Sequence, residues 1–338
     1  MKGRGDTASV ADRARTVAAG TPVTGVHFLG RSAAFVLGEE ALLLVAEDGA
    51  QQSVPVHAGA ILSCVSDGSR VLTGGDDGKI VATIAEGTSE LVAADSANRW
   101  IDHVALASDG TVAWSAGKQA FVQGRGGAPR VLDLPSTVGG LAFAPKGLRL
   151  AIAHYNGATL WFPNAKAEPE RLAWKGSHLA ATFSRDGRFL VTAMQEPVLH
   201  GWRLADSQDM RMQGYAARVR SLDWTADGKW LATSGASQLV LWPFQGKNGP
   251  MGKAPQLLAP AEDAEGRVEA VACHPRHPIL AVGYTDGLLL LVRIEDGAEI
   301  LAKNPADSAV TALAWNADGT LLAFGTEGGE CGLLANLG

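Results

Sequence analysis

One repeated pattern limits the fold of this chain more than any other feature. Eight copies begin with a short apolar run, at Val23, Ile61, Ile101, Val138, Leu179, Val219, Val268 and Val310. In the clearest copy, residues 219–244, three such runs are separated by Asp227-Gly228 and by a turn at Gly235. Runs this short between turn residues predict strands and not helices.

A single copy is not expected to fold alone. A three-stranded meander leaves two edges unpaired and its faces half buried, so it needs neighbours. Copies about 40 residues apart, with about four strands each, indicate a β-propeller. We therefore expect an all-β, closed β-propeller of four-stranded antiparallel blades, with eight blades favoured over seven. No fourth strand follows the last copy, so an N-terminal strand near 15–19 is expected to complete the last blade.

The strands of the repeat end in recurrent motifs. The first strand ends in an aromatic residue before Ser/Thr-x-Asp-Gly, the second ends in Leu-Ala-Thr-Ser-Gly or Leu-Thr-Gly-Gly, and the third ends in Trp. These motifs resemble those of the WD40 family. The resemblance covers the chain from Val23 onward and implies a buried network of His, Ser/Thr, Asp and Trp in each blade. Two copies keep part of that network: His57, Thr73 and Asp77 in one, and Tyr215 (in the His position), Ser234 and Trp242 in the other.

Composition narrows the class of protein. The net charge of −6 and the scattered basic residues argue against binding to nucleic acid or to anionic membranes. Three widely spaced cysteines favour free thiols and a reducing compartment. No stretch reads as a secretory signal or a membrane span. We expect a cytoplasmic protein with a disordered tail at 1–14 and a single WD40-like propeller domain at 15–338.

The sequence predicts no catalytic centre and no cofactor. It contains neither a Gly-x-Ser-x-Gly nucleophile motif nor a phosphate-binding loop. Asp-Gly recurs at one position of the repeat, which indicates turn structure and not catalysis. Cys273, His274 and His277 are the strongest metal-like cluster, with residue types that bind zinc. Strand alternation separates their side chains, so we expect no metal there and keep a metal site as the weaker alternative.

The expected function is that of a non-catalytic scaffold or adaptor. In WD40 proteins the connections between blades and the second-to-third strand turns form the usual partner-binding face, for a protein or a peptide. The residues placed on that face are His57, Arg99, Trp100, Lys118, Tyr155, His178, Glu196, Tyr215, Arg218 and Tyr284. Arg99 and Trp100 are the first pair to test. We expect a monomer or a component of a hetero-complex.

One alternative stays open. A propeller enzyme, or a small-ligand or metal-binding protein, would use the central channel, where the first strands carry His27, Asp102, His103, Asp223 and Glu269. An insertion at 245–255 and a long loop at 260–266 are predicted mobile surface loops, either tolerated or used for binding.

Overall fold

The computed structural model describes residues 8–263 and 265–337, and nearly all of its regular structure is β. The strands pair into seven sheets, numbered in chain order. Sheets 1 to 3 contain Val23–Leu29, Ser32–Leu37, Ala41–Val45 and Gln51–Pro55; Ile61–Ser66, Arg70–Gly75, Lys79–Ile84 and Ser89–Ala94; and His103–Leu106, Val112–Ala116, Gln119–Gln123 and Arg130–Asp133.

Sheet 4 has six strands, and sheets 5 to 7 follow it. Sheet 4 contains Val138–Phe143, Leu150–Trp161, Glu170–Phe183, Phe189–Met194, Leu199–Arg203 and Gln208–Met212. Sheets 5 to 7 contain Leu222–Trp224, Trp230–Thr233, Leu239–Pro243 and Gln256–Leu258; Ala8–Ser9, Val268–Cys273, Ile279–Tyr284, Leu289–Arg293 and Glu299–Lys303; and Ala14–Ala18, Val310–Trp315, Leu321–Thr326 and Glu330–Ala335. In the described part of the chain, no helix is long and apolar enough to cross a membrane.

The all-β propeller of antiparallel meanders is as predicted, but the preference for eight blades over seven is wrong. Two of the predicted repeats share sheet 4, because Leu150–Trp161 and Glu170–Phe183 each continue from one repeat position into the next. Tyr155 pairs with Ser177 at the join, between the two ordinary ladders on either side. The structure therefore has seven hydrogen-bonded sheets.

The recurrent Asp-Gly pairs form the predicted strand reversals. In the five pairs that follow a first strand, at Asp67, Asp109, Asp186, Asp227 and Asp318, the Asp carboxylate accepts a hydrogen bond of 2.9–3.1 Å from the backbone N–H two residues later. Each following glycine has a positive φ, between 67° and 84°. Asp caps its own turn and Gly adopts φ > 0 without strain, so the pair is explained by turn structure alone.

Side-chain packing closes the ring. The first strands contact one another between most neighbouring sheets, and Val310–Trp315 contacts Val23–Leu29, which brings the last sheet against the first. These two sheets share one apolar cluster that contains Val23, Phe35 and Ala323. Sheets 4 and 5 share an apolar cluster that contains Val191, Trp224 and Leu231. In the described part of the chain, no strand pairing joins one sheet to the next, so backbone ladders do not close the ring.

The N-terminal segment supplies strands to two sheets. Ala14–Ala18 pairs antiparallel with Glu330–Ala335, which confirms that an N-terminal strand completes the last sheet. The predicted disordered tail at 1–14 is wrong for residues 8–14. Ala8–Ser9 pairs in parallel with Ile300 and Leu301, and a short 3-10 helix follows at Ala11–Arg13. Free backbone groups on the outer strand of sheet 6 explain this pairing. Residues 1–7 of the predicted tail lie outside the described residues.

Candidate partner-binding face

The connections between repeats and the second-to-third strand turns lie at one end of the sheets. We call this end the connection face, and it carries Trp100, Lys118, Tyr155, Glu196 and Arg218. The opposite end, which carries the Asp-Gly turns, is the turn face. Successive turns of an antiparallel meander alternate between the two ends, and the first strands line the centre of the ring.

Four of the ten residues predicted for the connection face have buried side chains, so they offer little surface to a partner. His57, His178, Tyr215 and Tyr284 are exposed by 8 %, 1 %, 8 % and 0 %. His57 and Tyr215 lie in connections between sheets, and His178 and Tyr284 lie on strands. Each ring points into the protein and shares a hydrogen bond with a buried oxygen. These four side chains stabilise the fold and do not offer a surface.

Two of these buried rings, those of His57 and Tyr215, lie at the centre of the hydrogen-bond networks that the resemblance to WD40 repeats implies. His57 Nδ1 lies 2.9 Å from Asp77 Oδ1 and its Nε2 lies 2.9 Å from Thr73 Oγ1. The Tyr215 hydroxyl lies 2.8 Å from Thr233 Oγ1 and accepts a hydrogen bond of 2.6 Å from Trp242 Nε1.

The sequence predicts that Ser234 supplies the hydroxyl of the second network. In the structure, Thr233 supplies it. Ser234 Oγ instead accepts hydrogen bonds of 3.1 and 3.0 Å from the backbone N–H groups of Arg220 and Ser221. Ser234 therefore ties the second strand of sheet 5 to the start of its first strand.

Arg99 is held within the protein. Its guanidinium donates to both carboxylate oxygens of Asp95, at 2.7–3.2 Å, and to Gln119 Oε1 at 2.8 Å. Hydrogen bonds from Arg99 hold the pKa of the nearly buried Asp95 carboxyl below its usual value. Because Asp95 follows sheet 2 and Gln119 lies in sheet 3, Arg99 joins two sheets and is not a free contact residue.

Trp100 and Tyr155 are the two most exposed aromatic residues on the connection face, at 61 % and 58 %. Trp100 lies between Arg99 and the fully buried Ile101, whose backbone N–H donates to Gly75 O at 3.1 Å. The backbone of Tyr155 is fixed by hydrogen bonds with Ser136 and with the His154 ring. Both aromatic side chains are thus exposed on backbone that is held in place.

The remaining charged residues extend this surface into an arc. Lys118, Glu196 and Arg218 lie on the turns and connections that follow Trp100 along the ring. Arg218 Nη1 donates to Gln195 Oε1 at 3.3 Å, which links one turn to the next connection. The arc therefore combines exposed aromatic residues with charges of both signs.

A cavity of about 540 Å³ opens at the centre of the ring. We call it the channel mouth; its polar lining includes His27, Cys64, Arg220, Glu269, Thr311 and Glu327. Arg220 and Glu269 form an ion pair of 3.5 Å. Arg220 was not among the residues predicted for the channel. It directly follows Val219, where one of the apolar first-strand runs begins, and this position indicates that it lies near the channel.

The channel mouth brings together only some of the residues predicted for the channel. Of the five channel candidates only His27 and Glu269 line it. Burial lowers the pKa of His27 to about 4 and raises that of the Cys64 thiol to about 12, so both are neutral near pH 7. Asp223 accepts backbone hydrogen bonds from Trp224 and Cys273. Asp102 accepts one from Gly117, and burial lowers the pKa of His103.

The Cys273 cluster is a structural element. His274 Nε2 lies 3.1 Å from Gly319 O, and its Nδ1 accepts hydrogen bonds of 3.0 Å from the backbone N–H groups of Arg276 and His277. Both ring nitrogens are therefore engaged. Among the described residues, no group of three His, Cys, Asp or Glu side chains is arranged to hold a metal ion.

Comparison with known proteins agrees with this geometry. The family model described as "WD domain, G-beta repeat" matches residues 207–242, which include the Tyr215–Thr233–Trp242 network. A solved structure of the computationally designed Ika8 protein is similar over 94 % of this chain and 97 % of its own, with 16 % identity and a TM-score of 0.74. The chain is a WD40-like β-propeller protein.

As a WD40-like propeller, the chain belongs to a fold that commonly serves as a scaffold for protein interactions. Solved chains with significant structural similarity number 1702, so the fold alone does not determine a function. A function has to be inferred from the surface residues of this particular propeller.

Proposed function

We propose that this WD40-like propeller is a non-catalytic scaffold whose connection face binds a protein or peptide partner. The observation that carries the proposal is the exposure of Trp100 and Tyr155 on fixed backbone of that face. The three free thiols, at Cys64, Cys273 and Cys331, support a reducing, cytoplasmic setting.

Energetics favour these two residues as the centre of the contact. Aromatic rings bury a large area at a low cost in side-chain entropy, and they dominate the binding energy of many interfaces. Backbone that is already fixed loses little further freedom on binding. Lys118, Glu196 and Arg218 would then form the polar rim, where charges mainly affect the rate and specificity of association.

The test is affinity capture from the native cell with the double variant Trp100→Ala and Tyr155→Ala. We expect loss of the specific partner, with a Tm within about 2 °C of the parent because exposed side chains contribute little to stability. Arg99→Ala is unsuitable for this test because it would leave the Asp95 carboxylate without its ion pair.

The matched control is Leu91→Ala, which removes a side chain exposed by 61 % on the outer strand of sheet 2. This control should keep the partner. Equal capture by the double variant, the control and the parent would refute the proposal.

A second candidate is a small ligand at the channel mouth, favoured by the cavity of about 540 Å³ beside the Arg220–Glu269 ion pair. Thermal shift against a library of small polar metabolites tests it. A stabilising compound whose effect is lost in Glu269→Gln would support this candidate, and a flat library would count against it.

A further inference from the structure

A pocket on the turn face brings together two places where the repeats differ from one another. It has a volume of about 410 Å³ and lies between sheets 5 and 6. We call it the turn-face pocket; Lys229, Trp230, Gln245, Arg276, His277 and Ile294 line it, with Asp227 and Glu295. Arg276 and His277 replace the usual Asp-Gly turn, and Gln245 begins the insertion after Phe244.

Trp230 is half-buried here, although its place on a strand predicts a core residue. In the described part of the chain its indole N–H has no hydrogen-bond acceptor. The indole groups of Trp224, Trp242 and Trp315 instead donate to Thr182, Tyr215 and Ala272. Trp230 therefore offers an apolar ring, and an unused donor, to the pocket.

Arg276 is presented by a turn that is already fixed. The buried His274 ring accepts hydrogen bonds from the backbone N–H groups of Arg276 and His277, and its other nitrogen is bonded to Gly319 O. Among the described residues the Arg276 guanidinium has no hydrogen bond and no ion pair, and the side chain is exposed. An unpaired guanidinium on a fixed backbone is suited to bidentate recognition of a carboxylate.

The charge balance of the pocket favours a singly charged anion over a doubly charged one. Lys229 and Arg276 carry two positive charges, and Asp227 and Glu295 carry two negative charges. Lys229 Nζ is already 3.0 Å from Asp227 Oδ2, so Arg276 is the cation available to a ligand. A doubly charged phosphate would leave the pocket strongly negative, whereas a single carboxylate adds only one charge.

We propose that the turn-face pocket binds an apolar carboxylate, with the apolar group against Trp230 and the carboxylate bonded to Arg276. The source is either a free apolar acid or an acidic peptide with an adjacent apolar side chain. This pocket lies on the face opposite to the proposed partner-binding surface, so its occupation and partner binding are separate properties.

The test follows the Trp230 indole N–H resonance during titration of the full chain, with the resonance assigned by its loss in Trp230→Phe. Hydrocinnamate and acetyl-Phe-Glu-amide are the two probes. Hydrocinnamide and acetyl-Phe-Gln-amide, which lack the carboxylate, are their controls. We expect a saturable shift with at least one acidic probe, and binding at least about fivefold weaker with its neutral control.

Variants separate recognition from loss of folding. Arg276→Gln should weaken the acidic probe by about fivefold, whereas Arg125→Gln, which removes another exposed arginine from the turn face, should not. Saturation by hydrocinnamate supports a free acid, and saturation by the dipeptide alone supports a peptide. Absence of saturation with both acidic probes, or equal binding of acid and amide, would overturn the proposal.

Discussion

Single buried polar side chains determine much of what this propeller can and cannot use for binding. Tyr215 and Tyr155 share a residue type and lie at the same end of the sheets, yet one is exposed by 8 % and the other by 58 %. The Tyr215 hydroxyl is fully used by Thr233 and Trp242. The Tyr155 hydroxyl has no hydrogen bond among the described residues. Removal of each hydroxyl therefore compares a bonded tyrosine with an unbonded one.

Tyr215→Phe should lower the free energy of unfolding by about 1–3 kcal/mol, because Trp242 Nε1 and Thr233 Oγ1 would lose a buried partner. Urea denaturation measures this loss. Tyr155→Phe is the matched control and should change stability by less than about 0.5 kcal/mol. A Tyr215→Phe protein as stable as the control would contradict the structural role of the network.

His200 is a buried residue whose ring nitrogens form no hydrogen bonds with the described residues. The ring stacks on Trp174 with centroids 4.0 Å apart. Burial, with smaller contributions from His178 and Arg211, lowers the pKa of His200 from 6.5 to about 3. The unfolded chain therefore binds a proton at this residue between these two values, and the folded chain does not.

The sign of the pH effect follows from that difference. The contribution of the neutral, buried His200 to the free energy of unfolding is complete well above pH 6.5. It falls as the pH drops from 6.5 towards 3. Between pH 7 and pH 5, His200 should account for a loss of about 1–2 kcal/mol.

His200→Phe should reduce this loss by a similar amount, measured by urea denaturation at both pH values, since Phe keeps the stacked ring without the titrating nitrogens. Tyr215→Phe should keep the pH dependence of the parent. An unchanged loss in His200→Phe would show that other groups carry the acid sensitivity.

At the scale of strands, the N-terminal segment completes the last sheet. Ala14–Ala18 covers the edge of Glu330–Ala335 over five paired residues, whereas Ala8–Ser9 adds two residues to the outside of sheet 6. An uncovered Glu330–Ala335 strand would expose a row of free backbone groups that favours aggregation.

Removal of residues 1–18 should therefore lower the Tm by more than about 10 °C and promote aggregation, as several kcal/mol of pairing and packing are lost. Removal of residues 1–9 keeps Ala14–Ala18 and should lower the Tm by less than about 4 °C. Differential scanning calorimetry with light scattering measures both. Equal melting of the two truncated chains would contradict the closing role of the strand.

Strand positions and turns could be predicted because they depend on local chemistry. The five Asp-Gly pairs satisfy their own backbone and require no knowledge of neighbours. The seven-sheet arrangement could not be predicted in this way. It depends on the continuous strands Leu150–Trp161 and Glu170–Phe183 and on the pairing of Tyr155 with Ser177, a contact set by the approach of two repeats.

The candidate site was predictable only in part for the same reason. Trp100 lies in a connection that carries no repeat role, and it is exposed as expected. Arg99 lies beside it, but its ion pair with Asp95 and its bond to Gln119 join two sheets. Whether a polar side chain faces a partner or a neighbouring sheet depends on packing that the spacing of residues in the sequence does not encode.

At the scale of the whole molecule, the ring presents two faces with different proposed uses. The connection face offers Trp100 and Tyr155 to a macromolecular partner, and the turn face offers the pocket at Trp230 and Arg276 to an apolar carboxylate. Packed sheets hold much of the backbone under both surfaces, so the fold acts as a rigid support.

Site-specific photo-crosslinking in the native cell tests the partner-binding face most directly. A benzoylphenylalanine residue is placed at position 100, at 155 or at the control position 91, which is equally exposed on an outer strand. We expect positions 100 and 155 to give the same discrete adduct and position 91 to give none. Excess unlabelled protein should abolish that adduct. Adducts at 100 and 155 no stronger than those at 91 would contradict the proposed role of this face.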